Sequence, residues 1–275
     1  MTHPPTIARQ RVLDLPVDAI GRDEATRAII LRAQDPTPGA YVCLSNAHTT
    51  LLARDLPSFR QAVEGSYLSL PDGMPLAWTL RRRGFPSTEK VAGPTLMPRV
   101  VAAGRASGMR HFLYGWTTRM AQVVADELVA RAPGAQVVGI HAPPFADGSD
   151  PRTLAPAWVD IGGAVREVDW QLEALDTALR ATRPHILWLG LGAPVQEEWM
   201  AMVANRLNVP VMIGVGRAFN NLAGTARSAP AFSADLGLEW FFVMMSEPGR
   251  LWRRYLIGNP RFLYLLSREA IAGRR

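Results

Sequence analysis

Cysteine is almost missing from this chain. Cys43 is the only one in 275 residues, so neither an intrachain disulfide nor a cysteine-held zinc site can form, which fits the cytoplasm. Long apolar runs are missing too. Nowhere do about 18 uncharged apolar residues follow one another, so no bilayer span is expected. Met1 to Asp14 lacks the basic region and apolar stretch of a secretory leader, which predicts a protein that is not secreted. Any membrane contact should be peripheral.

The common cofactor fingerprints are absent as well. There is no Gly-x-Gly-x-x-Gly after the first strand, no Gly-x-x-x-x-Gly-Lys-Ser/Thr and no His-Glu-x-x-His, which argues against a dinucleotide-dependent oxidoreductase. The five histidines, His3, His48, His111, His141 and His185, are scattered, and only His48 lies next to a candidate site, where it reads as a packing or hydrogen-bonding residue. No Asp-x-Asp pair is present to hold a metal against a nucleotide diphosphate. The expectation is an activity with no cofactor and no metal.

What is present is arginine and apolar bulk. The hydrophobic content of 48% suffices for a sizeable core, and the net charge of +6 suits an anionic partner. From Glu247 onward the charges are Arg250, Arg253, Arg254, Arg261, Arg268, Arg274 and Arg275 against Glu247 and Glu269, among leucines and aromatics. That mixture favours an anionic membrane surface over nucleic acid. Arg250, Arg253 and Arg254 would share one face of a helix. They are either a solvated surface or a site for a lipid-linked phosphate.

Apolar runs alternate with amphipathic ones along the chain. Strands are expected at Arg11 to Leu15, Tyr41 to Leu44, Ser66 to Leu70, Arg110 to Tyr114, Ala135 to Ile140, Pro184 to Gly190 and Val209 to Val215. Helices are expected at Arg22 to Gln34, Thr49 to Arg54, Pro57 to Glu64, Leu76 to Arg83, Leu96 to Ser107, Arg119 to Arg131 and Trp170 to Thr182, with Pro143 to Gly163 a loop-rich stretch. Another helix should begin with Pro194 at its first position and acids in its first turn. This order predicts an α/β fold, a Rossmann-like, mostly parallel sheet with helices on both faces. It divides into a catalytic core over 1–235 and a C-terminal basic and aromatic helical appendage over 236–275.

In such sheets ligands bind beyond the C-terminal ends of the strands. Asn46, Asp72 and Gln196 fall at three of those ends and are expected to face one crevice. Asp72, between Pro71 and Gly73, is either a helix cap or a carboxylate poised as a general base. Gly115 opens a strand–turn–helix unit able to hold a phosphate on the helix N-terminus.

Taken in order, Asn46, Pro71-Asp72-Gly73-Met74-Pro75, Lys90-Val-Ala-Gly93, Gly192-Ala-Pro-Val-Gln-Glu197, Gly214-Val-Gly-Arg-Ala-Phe219, Leu222-Ala-Gly224, Ala229-Pro230, Gly237-Leu-Glu-Trp240, Glu247-Pro248 and Arg253-Arg-Tyr255 resemble the WecG/TagA/CpsF glycosyltransferase family, from about residue 10 to 265. The resemblance implies an inverting transferase. It would move a sugar, N-acetylmannosamine or a glucose-type hexose, from a UDP-sugar donor to a polyprenyl-diphosphate-linked acceptor at the inner face of the bacterial plasma membrane, in cell-surface or exopolysaccharide assembly. Carried over by motif, Asp72 looks like the general base and Gln196 like a residue orienting acceptor or donor. Asn46, Lys90, Gly93, Gly115, Gly216 and Asn220 look like substrate-binding positions, and Arg250, Arg253 and Arg254 like appendage cations that meet the diphosphates. Lys90 stands where the family commonly has arginine, which keeps the charge without the bidentate fork.

Five positions depart from the family pattern. Leu44 replaces a frequent threonine, Thr95 and Asn220 replace aspartates, and Ser228 and Val243 replace arginines. The lost carboxylate at Asn220 and the lost arginines at Ser228 and Val243 motivate a second expectation, an inactive relative that binds nucleotide or lipid as a scaffold. The sequence leaves homo-oligomerisation open.

Overall fold

The computed structural model describes residues 6–115, 117–142, 164–224, 239–246, 249 and 252–272. The chain starts with an antiparallel hairpin, β1 (Arg9–Val12) and β2 (Leu15–Asp18). The sequence reading predicted a single strand here. The two strands turn through Leu13 in a left-handed conformation (φ 52°), a turn without the glycine or asparagine that would have announced it. The fully buried Asp18 fixes the hairpin to the core. Its carboxylate takes two bonds from the Arg9 guanidinium (2.8 and 2.9 Å) and one from the Ser69 backbone N–H (2.7 Å).

Helix α1 (Arg22–Gln34) leads to β3 (Ala40–Ser45), α2 (Ala47–Asp55), α3 (Pro57–Glu64) and β4 (Leu68–Pro71). Helices α4 (Met74–Arg82) and α5 (Gly93–Gly104) precede β5 (Arg110–Tyr114), α6 (Thr118–Arg131) and β6 (Gln136–His141). Then come α7 (Ala164–Thr182), β7 (Ile186–Leu189), α8 (Val195–Val203), β8 (Val211–Gly214) and the short α9 (Ala218–Leu222). The loop expected at Pro143 to Gly163 lies outside the described residues.

Strands β3 to β8 form one six-stranded parallel sheet in the order β4-β3-β8-β7-β5-β6. Alternation along each strand feeds two cores. Val42 and Leu44 face a layer made by α1, α5, α6 and α9, whereas Tyr41 and Cys43 face the layer of α2, α3, α7 and α8. The result is the expected three-layer α/β sandwich. The proline expected at the first helical position is the N-cap instead: Pro194 follows a cis peptide bond and α8 begins at Val195.

The C-terminal part comprises α10 (Glu239–Ser246), a π-helical turn (Arg253–Ile257) and α11 (Gly258–Ala272). Helix α11 is anchored to the core. Phe262 is buried in a cluster with Val12, Val17, Ala47, Leu51, Leu76 and Leu80, from the hairpin, α2 and α4. The Arg261 guanidinium forks onto the Asp55 carboxylate (2.8 and 2.9 Å) and holds it below the usual carboxylate range, while Arg83 pairs with Glu269. Trp252, Leu256, Ile257, Leu263, Tyr264 and Ile271 remain exposed. Among the described residues no helix is long and apolar enough to cross a membrane.

Phe262→Ala removes a fully buried ring and should lower stability by about 3 kcal/mol, read by chemical denaturation. Leu263→Ala, one residue on and exposed, should change it by under about 0.5 kcal/mol in the same measurement.

Candidate active site

The connections leaving β3 and β8 run to opposite faces of the sheet, from β3 to α2 in one layer and from β8 to α9 in the other. Because these two strands are neighbours, the sheet has a topological switch point between them, the position at which such sheets bind ligands beyond the strand ends. Asn46 ends β3, Asp72 ends β4 and Gly216 follows β8, so three of the sequence-predicted residues lie at this edge.

Asn46 caps α2 through a full capping box. Its Oδ1 accepts from the backbone N–H groups of His48 (3.0 Å) and Thr49 (3.2 Å), and its own N–H donates to the Thr49 hydroxyl (2.7 Å). With Oδ1 so committed, the amide nitrogen points the other way and donates to Asp72 Oδ2 at 3.4 Å, a long bond. The Asp72 backbone N–H extends the β3–β4 ladder by bonding the Ser45 carbonyl (2.7 Å). Of the two sequence readings of Asp72, the cap is not the one observed, since Gly73 occupies the N-cap of α4 without a side-chain bond. The carboxylate sits half-buried at the strand end beside a neutral amide donor.

The Val91 N–H bonds the Pro71 carbonyl (2.8 Å), which brings the half-buried Lys90 alongside the same strand end. Gly93 starts α5 in close quarters. A Cβ there would lie 3.0 Å from the Val215 carbonyl and 3.1 Å from both Ala218 and Leu44, so glycine is what lets α5 approach the end of β8. Asn220 lies half-buried on α9. Gly115 abuts Gly190, whose backbone would meet an added Cβ at 3.0 Å, and this brings the ends of β5 and β7 together.

Gln196 is buried in the first turn of α8, and both ends of its amide are hydrogen-bonded. Oε1 accepts from the N–H groups of Gly192 (3.2 Å) and Gly216 (3.1 Å), the turns after β7 and β8, and Nε2 donates to Glu197 Oε1 (2.8 Å). In sequence Glu197 reads only as a first-turn acid. It is 1% exposed, and its Oε2 meets no hydrogen-bond partner among the described residues. Burial pushes its carboxyl up to about 8, against the opposing pull of the Gln196 bond. The only sequence cue was the Gln-Glu pair in the first turn of the helix that follows an apolar strand.

Arg250 lies outside the described residues, as do the side chains of Arg253, Arg254 and Val243, and Ser228. Among the described residues no three His, Cys, Asp or Glu side chains gather as a metal-binding group would require.

A model of the glycosyl transferase WecG/TagA/CpsF family matches residues 10–275. An N-acetylglucosaminyldiphosphoundecaprenol N-acetyl-beta-D-mannosaminyltransferase of Bacillus spizizenii (strain ATCC 23059 / NRRL B-14472 / W23) is 23% identical over 222 residues, 81% of this chain and 77% of that protein. The protein of the same name from Staphylococcus aureus (strain MW2) is 20% identical over 236 residues, 86% of this chain and 83% of its own length.

Glu197 gives stability a pH dependence of definite sign. Its ordinary value is 4.5 and the folded value about 8, so between them the unfolded chain binds fewer protons and stability falls as pH rises. Glu197→Gln removes that slope. Relative to wild type, the variant should gain on the order of 3 kcal/mol between pH 4.5 and 7, measured by urea denaturation at each pH.

Proposed function

Because this chain belongs to the glycosyl transferase WecG/TagA/CpsF family, we propose that it moves a sugar from a UDP-sugar to a polyprenyl-diphosphate-linked sugar, with inversion at the anomeric carbon. The observation that carries this reading is the Asn46–Asp72 pair at the switch-point edge of the sheet. The names of the two relatives support N-acetylmannosamine as the sugar moved and a diphosphoundecaprenol-linked N-acetylglucosamine as the acceptor. A glucose-type hexose, used in exopolysaccharide assembly, is the second donor to test, because Asn220 stands where relatives frequently carry a carboxylate.

In the proposed reaction Asp72 accepts the proton of the acceptor hydroxyl as that oxygen attacks the anomeric carbon. The bond from that carbon to the UDP oxygen breaks, and UDP leaves with the electron pair. A single displacement from the opposite side inverts the centre. Asn46 keeps the Asp72 carboxylate turned toward the crevice. Lys90, Gly93, Gly115, the Gly216 turn held by Gln196, and Asn220 line the donor side. Residues 236–275 act as lid and membrane foot, with Arg250, Arg253 and Arg254 meeting the diphosphates. The outer face of α11 supports the foot, since Leu263, Tyr264 and Ile271 are exposed at 59%, 61% and 63% beside Arg268. The site of action in this reading is the cytoplasmic surface of the plasma membrane.

Transfer of radiolabelled sugar from a panel of UDP-sugars to a short-chain lipid-diphosphate acceptor tests the reading. Asp72→Asn should lower kcat by about 10³, within the range of general-base catalysis, while leaving UDP binding intact. A wild type that binds UDP yet transfers nothing from any donor, equal in this to the variant, would favour the scaffold reading, which the Asn220 and Val243 departures motivate. Replacing Leu263, Tyr264 and Ile271 together by serine should weaken binding to anionic vesicles by about tenfold in a sedimentation assay, with the thermal midpoint unchanged.

A further inference from the structure

Gln196 can hold both glycine turns only in one of its two amide orientations. In the observed one, Oε1 faces the N–H groups of Gly192 and Gly216 and Nε2 faces Glu197. A flipped amide would set an NH2 group against two N–H donors; the Gly192 N–H would lose its acceptor and the Gly216 N–H would keep only the Leu189 carbonyl, at 3.2 Å. Both glycines have positive φ (83° and 47°), and the Gln196 oxygen is an acceptor that the two turns share. Packing alone does not choose between orientations, because oxygen and NH2 are nearly the same size. The two N–H donors favour oxygen on their side, and Glu197 Oε1, 2.8 Å from Nε2, reinforces that choice from the other side.

We propose that Glu197 is a positioning residue that fixes the Gln196 amide and so sets the spacing of the turns after β7 and β8. The proposal rests on the donor-site reading given above for the Gly216 turn. Gly214 shows how little slack the arrangement has: a Cβ there would lie 3.0 Å from the Gln196 amide carbon and nitrogen. Glu197 itself is enclosed between α8 and the sheet, where it lies close enough to Cys43 of β3 for the two to interact electrostatically. A buried carboxyl group with one oxygen lacking a hydrogen-bond partner among the described residues is costly to keep. Ordering the Gln196 amide is the return the geometry offers for it.

The role predicts a pattern that loss of packing would not produce. Glu197→Leu fills a similar volume without an acceptor, whereas Glu197→Gln keeps a carbonyl oxygen in the same place. Amide hydrogen exchange on the full chain reads the brace directly. In Glu197→Leu, protection at Gly192 should fall at least tenfold, with a smaller loss at Gly216, which keeps the Leu189 carbonyl, while the strand amides of β5 keep theirs, and Glu197→Gln should restore it. In the transfer assay Glu197→Leu should raise KM for the UDP-sugar about tenfold with kcat within threefold of wild type. Unchanged protection at the two glycines in Glu197→Leu, or an equal loss across the whole sheet, would overturn the proposal. Because exchange needs no substrate, it judges the brace even if wild type transfers no sugar, and a normal transfer assay with an unmoved KM would overturn the link to the donor.

Discussion

The side chain of Asn46 is shared between a helix and a carboxylate, and the geometry of the crevice depends on that division. Its oxygen is held by the first N–H groups of α2, so its NH2 group can only face outward, where Asp72 Oδ2 receives it at 3.4 Å. Aspartate would cap the helix equally well but set a second negative charge against Asp72, and serine would be too short to reach across. Asparagine therefore joins a local requirement, the capping of α2, to a non-local one, the orientation of a residue 26 positions away. The ladder bond from Asp72 N–H to Ser45 fixes the backbone on the other side of the same pair.

A similar economy operates at the neighbouring strand ends. Gln196 binds two glycine turns with one oxygen, and Gly93 and Gly115 remove the side chains that would keep α5 and β7 at a distance. The edge where six parallel strands end is thus drawn together by backbone contacts, with few polar side chains among them. Helix α11 adds a constraint from outside. By burying Phe262 and pairing Arg261 with Asp55, it packs on the helix that Asn46 caps, so the C-terminal segment is mechanically continuous with the crevice.

Much of this was legible in the sequence because buried parallel strands and amphipathic helices leave strong periodic patterns. Helices α1 and α3 and strand β5 occupy the spans predicted for them, and Asn46 and Asp72 stand at the expected strand ends. The hairpin turn places the positive φ on Leu13, where neither glycine nor asparagine marks it, so the sequence pattern shows one strand in place of two. The decision between cap and candidate base for Asp72 depended on one residue, Gly73, taking the cap position. Gln196 and Glu197 were harder. The groups they meet belong to turns distant in the chain, and an acid in a first helical turn looks the same in sequence whether it is solvated or, like Glu197, 1% exposed.

The central claim is that Asn46 acts on the reaction through Asp72. A double-mutant cycle in the sugar-transfer assay, with Asn46→Ala and Asp72→Asn made singly and together, measures that coupling most directly. The account predicts that Asn46→Ala slows transfer by about tenfold when Asp72 is present and by less than twofold when it is Asn. Equal slowing in both backgrounds would contradict it, since Asn46 would then act independently of the carboxylate.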